Sequence, residues 1–200
     1  MAYSATASRG GNVTRKRTPT RRRAVVRAAA SRLVLSPVTM ADAPALFKWI
    51  NDRELVLFNA AYRPIHESAH REWVAGLAGR RDLVAFGIRM KGSGKLIGVC
   101  QLTGINGVSR SADLQIRLGV ATSRGKGLGR EAVQQLVAFG FDDLNLHRIA
   151  LQVFATNTRA IKTYEAAGFR HEGTLREAAF IDGHFVDVRV MAMLEDESPA

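Results

Sequence analysis

One cysteine in 200 residues, Cys100, excludes an internal disulfide. It stands in the apolar run LIGVCQL, where a small buried hydrophobe is expected and a nucleophile is not. No apolar stretch approaches the roughly 20 residues that cross a bilayer, so no membrane span is expected. His66 and His70 are spaced i,i+4, but no third ligand accompanies them and no metal is expected. Acidic residues are missing altogether from residues 1–32, which hold nine of the 29 basic side chains. The remainder has 20 basic against 18 acidic residues, a net of +2, so the formal charge of +11 belongs to a tail and not to the domain.

That tail, residues 1–31, is rich in Ser, Thr, Ala, Gly and Arg and poor in large apolar groups, a composition that favours disorder. It reads as a solvated arm, a nucleic-acid or anionic-surface arm, a nuclear-type cluster or an organelle transit peptide. Any contact with nucleic acid is confined to it. The cysteine usage is consistent with a reducing compartment, and a cytoplasmic location is expected, with organelle import through the tail left open. The length suits one domain, placed at 32–194, with a short C-terminal tail at 195–200. A dimer is compatible with the sequence, which does not fix the oligomeric state.

Hydrophobic periodicity supplies the elements. Strands are expected at 32–39, 83–90, 95–105, 111–119 and 147–155, then a final pair joined through Asp182-Gly183. Helices are expected at 41–52, 68–79, 129–144 and 157–168, the last with Asn157 as N-cap and Gly168 as its stop. Residues 53–66 read as irregular. Strands mostly in sequence with helices between them indicate an α/β or α+β fold, a single sheet with helices packed on it.

The stretch TSRGKGLGREA crowds Gly125, Gly127 and Gly129 among Arg124, Lys126 and Arg130 and runs straight into a helix. It is neither a Walker loop nor a dinucleotide fingerprint, since the glycines are spaced G-x-G-x-G. One reading is a tight turn. The other is a phosphate cradle, made by bare peptide N–H groups at the positive end of a helix dipole.

About 30 residues on stands NTRAIKTYEAAGF. The paired patterns, [Q/R]-x-x-G-x-[G/A] and N-x-x-A-x-x-x-Y-x-x-x-G-F, resemble the GNAT superfamily of acyl-CoA-dependent N-acetyltransferases. Within it they resemble the branch of ribosomal-protein N-terminal-amine and spermidine acetyltransferases, over about residues 32–194. The resemblance implies a mixed, mostly antiparallel sheet splayed in a V, helices on both faces, and acetyl-CoA as cosubstrate. By position, Arg124, Gly125, Lys126, Gly127, Leu128, Gly129 and Arg130 would cradle the pyrophosphate. Leu118, Gly119 and Val120 would pair with the pantetheine arm, Asn157 would hydrogen-bond that arm with Ala160 close by, and Tyr164 would sit beside the sulfur. Many members of the branch carry an aromatic residue where Arg124 stands; the wider superfamily uses arginine.

The chemistry imposes its own demands. An alkyl ammonium has a pKa near 10.4, so presenting it neutral at pH 7 costs roughly 4.6 kcal/mol at about 1.36 per unit, which calls for a base. An N–H near Gly119 would support the oxyanion and a tyrosine hydroxyl would protonate the thiolate, a general-acid role assigned to Tyr164. For the base, Asp113, Gln115 and Arg117 share one face of a strand. If that face lines the acceptor cleft, Asp113 is the candidate; if it meets solvent, the alternation carries no meaning. Glu177 and Asp187 are weaker candidates, expected to pair with neighbouring arginines. Trp49 and Trp73 are expected in the core. Residues 51–72, with Asp52, Glu54, Glu67, Glu72, Phe58 and Tyr62, are expected to wall the acceptor site, suiting a polyamine, an amino sugar or a protein N-terminus. The rival reading is a nucleic-acid- or ribosome-associated protein that binds an acyl-CoA with little turnover.

Overall fold

The computed structural model describes residues 31–198; most of the basic tail lies outside them. Strands β1 (Leu33–Pro37), β2 (Leu83–Met90), β3 (Leu96–Asn106), β4 (Ser111–Leu118), β5 (Arg148–Phe154), β6 (Arg170–Ile181) and β7 (His184–Leu194) form one sheet. Its order is β1-β2-β3-β4-β5-β7-β6. Every neighbouring pair is antiparallel except β4 and β5, which run parallel. Helices are α1 (Ala43–Ile50), α2 (Arg53–Val56), α3 (Glu67–Gly76), α4 (Leu128–Asp142) and α5 (Thr158–Ala167). Among the described residues no helix is long and apolar enough to cross a membrane.

The parallel pair places the site. Arg148, Ile149 and Ala150 of β5 pair with Ser111, Ala112 and Asp113 of β4, and there the pairing ends. β4 continues against β3 as far as Leu118, while β5 continues against β7 as far as Phe154. The sheet therefore opens from Leu114 and Leu151 outward into the V that the sequence patterns imply.

Two apolar layers close the faces. Leu128, Ala132, Val133, Leu136 and Val137 of α4 join Leu102, Leu114, Ile149, Leu151 and Met191 in the larger core. Cys100 is sealed in the same core, and burial pushes its thiol up to about 12, which leaves it inert. On the other face Leu46 and Trp49 of α1 and Leu55 of α2 form a second cluster with Val99 and Val120. Trp49 is buried as expected, whereas Trp73 is half-buried and stacks on His70.

Residues 53–66 are not wholly irregular. Asp52 Oδ1 accepts the N–H of Leu55, 3.1 Å away, and this N-cap starts the short helix α2. The Asp182-Gly183 turn has φ of 50° and 85°, the double positive φ that a two-residue hairpin needs. Both ends of the domain are anchored more widely than the sequence indicates. Ser31 Oγ donates to Glu131 Oε1 at 2.9 Å, and the 195–197 turn is tied back by Arg170 and Glu197 at 2.7 Å.

Candidate active site

The loop ahead of α4 is built around left-handed backbone. Gly125 and Gly127 have φ of 74° and 77°, a region costly for any side chain, and Gly127 is the helix N-cap. The first intrahelical bond runs from Glu131 N–H to Gly127 O at 3.1 Å. No acceptor among the described residues takes the N–H of Gly125, Lys126, Gly127, Leu128, Gly129 or Arg130. Six consecutive peptide donors therefore stand open at the positive end of a 15-residue helix. A Cβ at Gly125 would meet nothing within 4 Å, so the outer side of the loop is clear. Open donors, left-handed backbone and clear space on one side are what a phosphate cradle requires.

Arg124 does something the sequence does not announce. Its N–H is used in a turn to Ala121 O, and its Nε donates to Leu118 O at 3.1 Å with Nη2 near Gly119 O at 3.5 Å. The guanidinium thus braces the end of β4 at the mouth of the V. Val120 N–H bonds Ile97 O, which extends the β3 pairing, while no acceptor among the described residues takes the N–H of Gly119.

Across the V, Asn157 caps α5 through Oδ1, which accepts the Ala160 N–H at 3.1 Å. Its Nδ2 donates to Phe58 O at 3.0 Å, so the amide also fastens the loop after α2 to the head of α5. Tyr164 follows two turns along. Its ring is buried at 6% exposure and packs edge-on to Phe169. Its hydroxyl makes no hydrogen bond to the described residues. Burial pushes the phenol up to about 12.

Asp113 sits on the last β4–β5 pair, at the foot of the V, and its side chain is exposed. Its face of β4 is the one under α1–α3, since a Cβ at Gly119 on the same face would strike the Trp49 ring. Glu177 and Asp187 are not arginine-paired as expected. Asp187 Oδ1 instead accepts the N–H of Glu177, which holds a left-handed turn with φ of 52° in β6.

The segment 51–72, expected to wall the acceptor site, has several of its charged side chains engaged within the fold. Asp52 caps α2, Glu67 lies 3.9 Å from Arg71, and Arg53 reaches Asp182 of the β6–β7 turn at 2.6 Å. Glu54, Glu72, Phe58 and Tyr62 line the segment without ion pairs among the described residues. His66 starts α3, and His70 is buried against Phe47 and Trp73, with burial the main cause of its lowered pKa. Among the described residues no group of three His, Cys, Asp or Glu side chains could hold a metal.

Residues 32–170 match the acetyltransferase (GNAT) domain family. A spermidine N(1)-acetyltransferase of Vibrio cholerae is 35% identical over 133 residues, 66% of this chain and 68% of that protein. A solved structure of the Vibrio cholerae spermidine N-acetyltransferase in complex with CoA and spermine superposes with a TM-score of 0.79 at 29% identity, covering 84% of this chain and 98% of that one. A putative ribosomal N-acetyltransferase of Bacillus subtilis is 27% identical over 52% of this chain and 56% of that protein. The splayed β4–β5 pair and these matches agree: the chain belongs to the GNAT acetyltransferase family and is an acetyl-CoA-dependent N-acetyltransferase.

Proposed function

We propose that the chain acetylates the primary amine of a small molecule by direct attack, with Tyr164 as general acid and Asp113 as base. The observation that carries the reading is the run of six unpaired N–H groups, 125–130, beside a sheet that opens at Leu114. Acetyl-CoA supplies the acetyl group as a thioester. Gly125 to Arg130 hold its phosphates, the free edge of β4 holds its arm, and the Gly119 N–H faces the developing oxyanion. Lys126 and Arg130 add charge to the cradle.

Protons must balance across the site. The amine gives one up and the leaving thiolate takes one. Asp113, exposed at the foot of the V, receives the first directly or through water. Tyr164 Oη supplies the second. Burial keeps that hydroxyl protonated through the physiological range, so the donor is always in its working form.

Spermidine is the first acceptor to test, because relatives bear that name. An amino sugar and a protein N-terminus complete the panel. Mass spectrometry of the products with acetyl-CoA should find a mass increase of one acetyl group on an amine. Acetyl-CoA that binds and is never turned over with any amine would overturn this reading in favour of a binding protein.

A further inference from the structure

Arg117 is a charged side chain of the site that the chemistry above leaves unused. It alternates on β4 with Asp113, Gln115 and Gly119, on the face covered by α1–α3. Its cross-strand partner is Val99, which packs on the Leu46, Trp49 and Leu55 cluster. Gln115, its neighbour on that face, is occupied by Gln101 at 2.7 Å. Arg117 is half-buried and has no side-chain hydrogen bond or ion pair among the described residues. Its Nε is shut off from solvent. Burial lowers its pKa, but a guanidinium stays charged in a protein.

A sealed N–H without an acceptor is costly, and native structures satisfy such groups with few exceptions. The local acids do not neutralise the guanidinium. Asp113 is exposed four residues away, Asp52 caps α2, and Asp42 is held by Arg89 at 2.7 Å. Position supplies the second half of the argument. Arg117 lies four residues beyond the last β4–β5 pair, so no strand flanks it on the open side of the V. The cradle at the start of α4 takes the donor, and α4 packs on the opposite face of the sheet. The acceptor is left to enter on the face that carries Arg117.

We propose that Arg117 is an acceptor-recognition residue whose guanidinium takes a carboxylate, so that the preferred amine carries an anion at its other end. This rests on the N-acetyltransferase reading and narrows the amine. The planar fork of arginine matches a carboxylate through two parallel hydrogen bonds. A polyamine would bring more positive charge toward a half-buried cation that has no ion pair among the described residues, and be repelled. Along β4, about 3.3 Å per residue separates Asp113 from Arg117 by roughly 13 Å. An extended amino acid with a terminal amine spans much of that distance once the arginine side chain reaches toward it.

The test pairs amines that differ only in a carboxylate: L-lysine with cadaverine and L-ornithine with putrescine, plus spermidine, all with saturating acetyl-CoA. The wild-type chain should favour lysine or ornithine at least tenfold in kcat/KM over its decarboxylated twin and over spermidine. Arg117→Leu should lower that value at least tenfold, mainly through KM, and leave the diamines unchanged or faster. Arg117→Lys, which keeps the charge without the fork, should fall between. Because Arg117→Leu removes a sealed N–H that has no acceptor, it should melt no lower than the wild type. A fall in melting temperature would make Arg117 a structural residue, and weaker acetyl-CoA binding by calorimetry would make it a donor contact; either overturns the assignment. Preference for spermidine or a diamine overturns it too, while leaving the acetyltransferase reading intact. If no amine turns over, the discriminating measurement is melting with CoA present. Stabilisation by lysine and not by cadaverine supports Arg117 and sinks the proposed reaction, and stabilisation by neither sinks both.

Discussion

The indole of Trp49 occupies the space that a side chain at Gly119 would need. An ideal Cβ at 119 falls 2.0 Å from Trp49 Cδ2 and Cε2, so the ring of α1 lies directly on the backbone at the end of β4. Any larger residue must push Trp49 out of its cluster with Leu46 and Leu55. Gly119→Ala should cost about 1–3 kcal/mol as an overpacked contact. For a domain of this size that is a melting temperature lower by roughly 2–4 °C per kcal/mol. The same change moves the Gly119 N–H, so kcat should fall in the surviving folded enzyme. A mutant that melts and turns over like the wild type would show that Trp49 moves aside freely.

Gly127 is constrained differently. A Cβ there would meet only Arg32 Nη2 at 3.5 Å, so space is available, but φ is 77° and the outer side is where phosphate must touch backbone. Gly127→Val should raise the acetyl-CoA Kd at least tenfold, about 1.4 kcal/mol, in a chain that still folds. Calorimetry with unchanged affinity would remove the loop from the cofactor site.

Much of this was legible in the residues, and what was not has a common cause. Asn157 and Gly168 bounded α5 because caps are local chemistry, and the α4 helix showed in its own periodicity. The alternation of Asp113, Gln115 and Arg117 is also visible there, but that their face lies under α1 depends on packing from some 70 residues away. The same holds for Trp49 over Gly119 and for Asn157 on Phe58. Arg124 was read as a phosphate ligand because arginine beside glycines suggests one. The carbonyls of Leu118 and Gly119, which claim its side chain, become its neighbours only when the chain turns back at 121–123. Contacts set by a turn of the chain or made across long sequence separation leave no local periodicity to read.

Asp42 and Arg89 form the best-shielded ion pair described, 2.7 Å apart with the Asp42 side chain at 6% exposure. Burial opposes ionisation of Asp42, but the Thr39 N–H and the Arg89 guanidinium outweigh it and hold the carboxyl below its ordinary value. A depressed carboxyl contributes stability above its unfolded pKa and loses it as pH falls through the folded value. Asp42→Asn should therefore destabilise at pH 7 by about 3–5 kcal/mol, the usual loss when one buried partner is removed. The gap between mutant and wild type should shrink as pH falls below 4. A pH-independent gap would assign the loss to the Thr39 cap alone.

Glu131 of α4 gathers the start of the domain. Its carboxylate accepts from Ser31 Oγ at 2.9 Å, Arg32 N–H at 2.7 Å and Leu33 N–H at 3.1 Å. Burial raises its pKa, and these donors more than reverse the effect. A chain beginning at Ser31 should melt with the full-length protein and keep its turnover of small amines. One beginning at Leu35 strips Glu131 of all three donors and should lose about 1–3 kcal/mol. Equal melting of the two truncated chains in thermal unfolding would show that the 31–33 clasp is dispensable.

Tyr164 carries the sharpest prediction, because its ring and its hydroxyl have separate roles. The ring is core, packed on Phe169 and buried, whereas the hydroxyl has no partner among the described residues. Tyr164→Phe removes the hydroxyl alone. If Oη protonates the leaving thiolate, kcat should drop by roughly 10²–10⁴, with acetyl-CoA affinity and melting temperature little changed. Burial lifts the phenol to about 12, so deprotonation of this group cannot limit the wild-type rate below pH 10, and the Phe variant should lose activity evenly from pH 7 to 10. A phenol held only for packing gives the opposite pattern, with an altered melting temperature and near-normal kcat. In that case the proton comes from water, and Tyr164 is a core residue packed on Phe169.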